Sequence, residues 1–178
     1  MDRQSIRNEG VKGEAELRRL IPNAKASPSQ KQGDAVLRID GKDYFIEVKQ
    51  CVKGNSINQV RAIKFTTLVV YSPQLPKPWA VLAPQEVARI VAEKERGQHN
   101  EVALECANLT LTSLPAGCRC SNDELAARVE SAIRSSEPYG DLREALARLL
   151  DDLVEVKTAA REAVRKALQA GQKGGAAG

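Results

Sequence analysis

The chain has 178 residues, 42% of them hydrophobic, with a net charge of +4 and an isoelectric point near 8.9. That is apolar material for one domain with a core and an appended element, and the mild basic surplus permits nucleic-acid binding without establishing it. Aromatic residues make up 3%, which argues against a base-stacking platform for single strands. No apolar run approaches the ~18 residues of a membrane span. The start, MDRQSIRNEGVKGE, is charged from its second residue, so neither a membrane anchor nor a signal peptide is expected, and the expected location is the cytoplasm. Cys51, Cys106, Cys118 and Cys120 do not read as a disulfide framework and should be reduced there.

In chain order, Asn8 to Leu20 reads as a helix marked by Val11, Leu17 and Leu20 and ended by Pro22. A polar connection, Ala24 to Gln32, leads to GDAVLRIDGKDYFIEVKQ, which reads as two strands around an Asp40-Gly41 turn. Ser56 is placed to cap a short helix running to about Lys64, and TTLVVY (Thr66 to Tyr71) is a buried strand stopped by Ser72-Pro73. Trp79 to Leu82 reads as a further strand, and Pro84 opens a helix over Gln85 to Glu95. Glu101 to Thr112 fits either helix or strand. Asn122 or Ser121 caps a helix from Asp123 to about Ser135. The expected fold class is therefore α/β, a mixed central sheet flanked by helices, with residues 1–138 as the domain, 139–170 as a long amphipathic helix and 171–178 as a flexible tail. In that helix Leu142, Leu146, Leu149, Leu153, Val156, Ala160, Ala163 and Ala167 recur at spacings of four and three, a heptad seam. It suits a partner helix, its own domain, or a second copy of the chain.

The hairpin carries the chemistry. A period of two puts Glu47 and Lys49 on one face and turns Val48 into the core, with Asp34 thirteen positions before Glu47. Cutting a phosphodiester needs an activated water, an in-line approach and neutralisation of charge on the transition state and the leaving 3′-oxygen. Mg²⁺ serves this with oxygen ligands, typically one or two carboxylates plus phosphate and water. Asp34 and Glu47 are those carboxylates in this reading, the Val48 carbonyl is a third oxygen, and Lys49 positions the water or holds the phosphate. The plain alternative is a solvated strand face with a cross-strand ion pair.

The order helix, strand, turn, strand ending in Glu-x-Lys, helix, strand resembles the core of the PD-(D/E)xK nucleases, the superfamily that holds many type II restriction endonucleases and the archaeal-type Holliday junction resolvases. Gly33-Asp34, Glu47-Val48-Lys49 and Glu14 in EGVKGE carry the resemblance over residues 9–71, with Gly33 where the family's name has proline. It implies a restriction-endonuclease-like core and a Mg²⁺-dependent DNA endonuclease, with Mn²⁺ able to substitute and double-stranded DNA as partner. Glu14 is then a further ligand or acceptor, with Glu16 as substitute if the helix is rotated. Gln50, Asn55, Asn58, Gln59, Arg61 and Lys64 follow the hairpin. Of these the resemblance favours Gln59 near the scissile phosphate, and Gln50, Lys53 and Arg61 are candidate DNA contacts. A homodimer would align two sites on two antiparallel strands. Size favours the restriction-like branch, and the EGVKGE segment favours the resolvase-like one. A catalytically silent binding module of the same fold and a coiled-coil adaptor are the competing classes. Cys118 and Cys120 with Cys106 and His99 hold zinc-ligand chemistry, but the Cys-x-Cys spacing is too tight for a zinc knuckle, and buried or turn cysteines are expected.

Overall fold

A computed structural model describes residues 3–29, 32–98 and 101–174. The elements are α1 (Arg3–Leu20), β1 (Ala24–Ala26), β2 (Ala35–Ile39), β3 (Lys42–Gln50), β4 (Ser56–Val60), β5 (Thr67–Tyr71), β6 (Trp79–Leu82), α2 (Pro84–Ala92), β7 (Ala107–Thr110), β8 (Arg119–Cys120), α3 (Leu125–Arg134) and α4 (Gly140–Gly174). Six strands form one mixed sheet in the order β1-β2-β3-β5-β6-β8, in which only β3 and β5 run parallel; β4 and β7 make a separate two-stranded ribbon. The expected α/β class, a mixed sheet flanked by helices with a long C-terminal helix, is what the chain adopts.

Local chemistry accounts for the centre of this sheet. Asp40 and Gly41 both take positive φ, 50° and 80°, the signature of the turn whose twist matches a two-residue hairpin. Ile39 pairs with Lys42 and Ala35 with Ile46 across it. β5, TLVVY, is buried at its first four positions because it lies between β3 and β6 and is covered on both faces. One face packs Ile46, Val48, Val69, Trp79 and Val81 against Leu17 and Ile21 of α1 and Leu125, Val129 and Ile133 of α3. The other packs Leu68, Val70, Ala80 and Leu82 against Val87 and Val91 of α2 and Ile57, Val60 and Leu109 of the ribbon.

Two expectations fail. Residues 56–64 are not a helix: Ser56–Val60 is a strand, followed by a three-residue 3-10 turn, Ala62–Lys64. The reason is tertiary. Ile57 pairs with Leu109 and Val60 with Ala107, so both apolar side chains reach the core, and the Ser56 hydroxyl donates to Asn58 Oδ1 rather than capping a helix. The connection after α1 was expected to be irregular, yet Ala24–Ala26 pairs with β2 as an edge strand. The ambiguous stretch resolves into β7 at its end.

α4 is 35 residues long, about 52 Å at the α-helical rise. Leu146 is buried against Ile63 and Phe65, and Leu150 and Leu153 pack partly on the same pair. The Lys157 ammonium pairs with Glu105 and lies 3.9 Å from Glu101. Among the described residues no helix is long and apolar enough to cross a membrane.

Candidate active site at the end of the hairpin

The site forms where β2 stops and β3 continues. The β2–β3 pairing ends at Ala35 and Ile46, whereas β3 runs on beside β5 through Gln50. Cys51 N–H donates to the Tyr71 carbonyl, so alternate residues of β3 send their backbone groups to opposite edges and those of Val48 face the vacated β2 side. There the Val48 N–H donates to Asp34 Oδ2 at 2.8 Å. The Val48 carbonyl points the same way. Asp34 is itself pinned on both edges, its N–H donating to the Ile46 carbonyl at 2.9 Å and its carbonyl accepting from Ser27 N–H at 3.1 Å.

Gly33 makes this arrangement possible. Its φ is +154°, and a Cβ there would lie 2.9 Å from the Ile46 carbonyl oxygen. A proline, with φ fixed near −65°, cannot follow this path, so a glycine at position 33 is a requirement of this backbone. Gly33→Ala is expected to cost about 1–3 kcal/mol, read as a lower Tm, and Gly33→Pro more; an unchanged Tm for the proline variant would contradict this account.

On the other face of β3, Glu47 and Lys49 stand together as the period of two requires. Lys49 Nζ is 2.6 Å from Glu47 Oε1, and Lys64 Nζ is 3.5 Å from Glu47 Oε2. The side chains are 9% (Glu47), 21% (Lys49) and 8% (Lys64) exposed, so this is a buried cluster with one carboxylate between two ammonium groups. That is not the solvated ion pair of the plain reading.

Lys64, one of the polar candidates after the hairpin among which Gln59 was favoured, is the one that reaches Glu47. It ends the 3-10 turn, and Phe65 behind it takes a left-handed conformation, φ 48°, that no side chain adopts without support. Ile63 and Phe65 are clamped by Leu146, and the Arg143 guanidinium lies 5.9 Å from the Phe65 ring centre. α4 thus holds in place the turn that carries Lys64 to Glu47.

Glu14 approaches from α1. Its carboxyl is shifted above its ordinary range by burial first and by Asp34 next, with Arg18, at 3.7 Å, opposing. Asp34 is also shifted up, chiefly by burial and then by Glu47, with the Val48 N–H and the two lysines opposing. Asp34 and Glu47 both raise Glu14, and Glu47 raises Asp34, so the three acids share one electrostatic neighbourhood. Glu16 instead pairs with Arg19 at 2.7 Å, so of the two acids it is Glu14 that α1 turns toward Asp34. Gln50 turns to α1, where its Oε1 accepts from Gly13 N–H at 3.0 Å. That bond fixes the turn that presents Glu14.

The remaining DNA-contact candidates lie apart. Gln59 is exposed on β4 with φ 58°, its N–H donating to Asn108 Oδ1 at 3.2 Å. Lys53 is exposed in the loop after β3, and Arg61 stands beside the Cys106 thiol. Cys118 and Cys120 point into opposite cores, all four thiols are buried, and burial pushes each of them up. His99 lies outside the described residues.

No family model matches the chain, and comparisons with curated proteins and with solved structures find no match. The donor chemistry of the site therefore stands on its own. Asp34 and Glu47 offer carboxylates and Val48 a carbonyl, the all-oxygen set that suits Mg²⁺. Among the described residues no group of three or more His, Cys, Asp or Glu side chains is placed to hold a metal ion, so a cation here would take most of its shell from water, phosphate and backbone oxygens.

Proposed function

We propose that this chain is a Mg²⁺-dependent endonuclease that hydrolyses phosphodiester bonds in double-stranded DNA, as the resemblance to the PD-(D/E)xK nucleases implies. The observation that carries this reading is the buried Lys49–Glu47–Lys64 cluster on a strand end whose free edge holds Asp34. A structural ion pair needs one lysine. Two lysines and three acids gathered at one unpaired strand edge suit a site for an anion and a cation together.

Asp34, Glu47 and the Val48 carbonyl would hold the ion, with Glu14 supporting it from α1. When bound, Mg²⁺ would polarise the scissile phosphate and lower the pKa of the attacking water. Lys49 orients that water in line with the departing 3′-oxygen. Lys64, on the far side of Glu47, neutralises charge that builds on the phosphate. Water adds to phosphorus as the P–O3′ bond breaks, leaving a 5′-phosphate and a 3′-hydroxyl. Lys53, Gln59 and Arg61 contact the backbone beyond the cut.

One observation favours a structure-specific substrate beside a sequence-specific one. Residues 79–134, part of the length beyond Tyr71 that favoured the restriction-like branch, extend the sheet as β6 and β8 and cover it as α2 and α3. Supercoiled plasmid and four-way junctions should therefore be assayed together in Mg²⁺, Mn²⁺ and EDTA. Cutting of either that EDTA abolishes supports the nuclease; both left intact across a range of salt makes the fold a binding module. Lys64→Met is expected to lower the cleavage rate by about 10²-fold, with Lys64→Arg intermediate. A rate equal to wild type would confine Lys64 to a structural role.

A further inference from the structure

We propose that the outer face of α4 pairs antiparallel with the same face of a second copy of this chain, about a twofold axis passing near Thr158. The proposal does not rest on the nuclease reading.

Up to Lys157 one side of the helix is covered by its own domain, through Leu146, Leu150, Leu153 and the Lys157 ion pairs. The adjacent side is bare: Leu149 and Val156 are 43% and 67% exposed, and Ala160, Ala163 and Ala167 are exposed with them. Leu149, Val156, Ala160, Ala163 and Ala167 keep the heptad spacing, so they form one continuous seam over about 27 Å of helix.

Two properties of the helix select the occupant and its direction. The first is charge. From Asp141 to Glu155 the helix carries Asp141, Glu144, Asp151, Asp152 and Glu155 against Arg143 and Arg148; from Lys157 to Ala167 it carries Lys157, Arg161, Arg165 and Lys166 against Glu162. An acidic half precedes a basic half. Parallel pairing would lay the acidic half of each helix along its own copy, whereas antiparallel pairing lays it along the basic half, with Asp152 and Lys166 as the charges that flank the seam on facing helices.

The second is size. The large residues lie before the centre and the alanines after it. About an axis at Thr158, Leu149 meets Ala167 and Val156 meets Ala160, so large meets small in each layer and the helices keep an even separation. Parallel pairing would stack Leu149 on Leu149 and Ala167 on Ala167. A surface complementary to itself only when reversed is what a twofold contact between identical chains demands. The same helix clamps Ile63 and Phe65 beside Lys64, so the dimer would join two catalytic clusters into one particle.

The test uses the full chain. Light scattering at low salt is expected to give the mass of two chains, and Asp151→Lys/Asp152→Lys/Glu155→Lys should give the mass of one. Mixing that variant with Arg161→Glu/Arg165→Glu/Lys166→Glu should restore a two-chain particle. All six positions are exposed, so an unchanged circular dichroism spectrum confirms that the fold survives. Direction is read by oxidising, with diamide, variants that each add one exposed cysteine to the four buried native ones. Leu149→Cys mixed with Ala167→Cys should cross-link to each other more than either does to itself. A one-chain mass for the wild type, a two-chain mass that survives the charge reversal, or dominant Leu149→Cys self-linking would overturn the proposal.

Discussion

Glu47→Ala should lose both activity and stability, and the two losses should separate in a second variant. The carboxylate lies between Lys49 and Lys64, whose side chains are 21% and 8% exposed. Removing it leaves two buried ammonium groups facing each other, at a cost of about 3 kcal/mol. Adding Lys64→Met removes one of them and should recover much of the Tm. Cleavage should not recover, because the proposed function also makes Glu47 a ligand for the ion, and the rate should stay about 10²–10³-fold or more below wild type. The pair is checked by thermal denaturation and single-turnover cleavage. If the double variant regains activity together with its Tm, Glu47 acts through folding alone.

Asp34→Asn should move the same two quantities in opposite directions. Asparagine still offers an oxygen to the Val48 N–H, so the bond that shapes the strand edge survives. What goes is a charge that the fold disfavours, since burial and Glu47 hold the Asp34 carboxyl above its ordinary 3.8. A carboxyl raised in the folded state binds its proton more tightly there than in the unfolded chain. Its contribution to stability is therefore full below the unfolded value and is lost as pH rises through the folded one. Glu14, raised above 4.5, adds to the same window. In metal-free buffer at neutral pH, Asp34→Asn is therefore expected to melt higher than the wild type, and part of the wild type's decline in Tm with rising pH should disappear. Its cleavage should fall about 10²–10³-fold. A lower Tm at neutral pH would contradict the electrostatic assignment. Mg²⁺ should raise the wild-type Tm, by about 2.7 kcal/mol of stability at a hundredfold excess over Kd, and leave the variant nearly unmoved.

The parts of this site that were legible in the sequence are those fixed by neighbours in the chain. Asp40-Gly41 sets the hairpin, the hairpin sets the alternation, and the alternation puts Glu47 and Lys49 on one face. The run TTLVVY could only be a strand buried on both sides. What the sequence concealed depends on distant pairing. Ser56 to Lys64 has the local look of a capped helix, but Ile57 and Val60 pair with β7, and no local pattern announces that ribbon. Gln59 was favoured over Lys64 for the same reason: Lys64 reaches Glu47 because Phe65 turns left-handed under Leu146, about eighty residues later. Heptad spacing marked the seam of α4, yet it could not separate the stripe at Leu146, Leu150 and Leu153 that covers its own domain from the bare stripe at Leu149 and Val156. β1, three residues at a sheet edge, is too short to carry a period.

The most direct test of the central assignment is single-turnover hydrolysis of a labelled duplex and a labelled four-way junction by wild type, Asp34→Asn and Glu47→Ala/Lys64→Met, each with Mg²⁺ and with EDTA. The wild type is expected to yield 5′-phosphate ends in Mg²⁺ alone, and either variant almost none although both fold. Mg²⁺-dependent cleavage that persists in both variants would move the chemistry away from the end of β3.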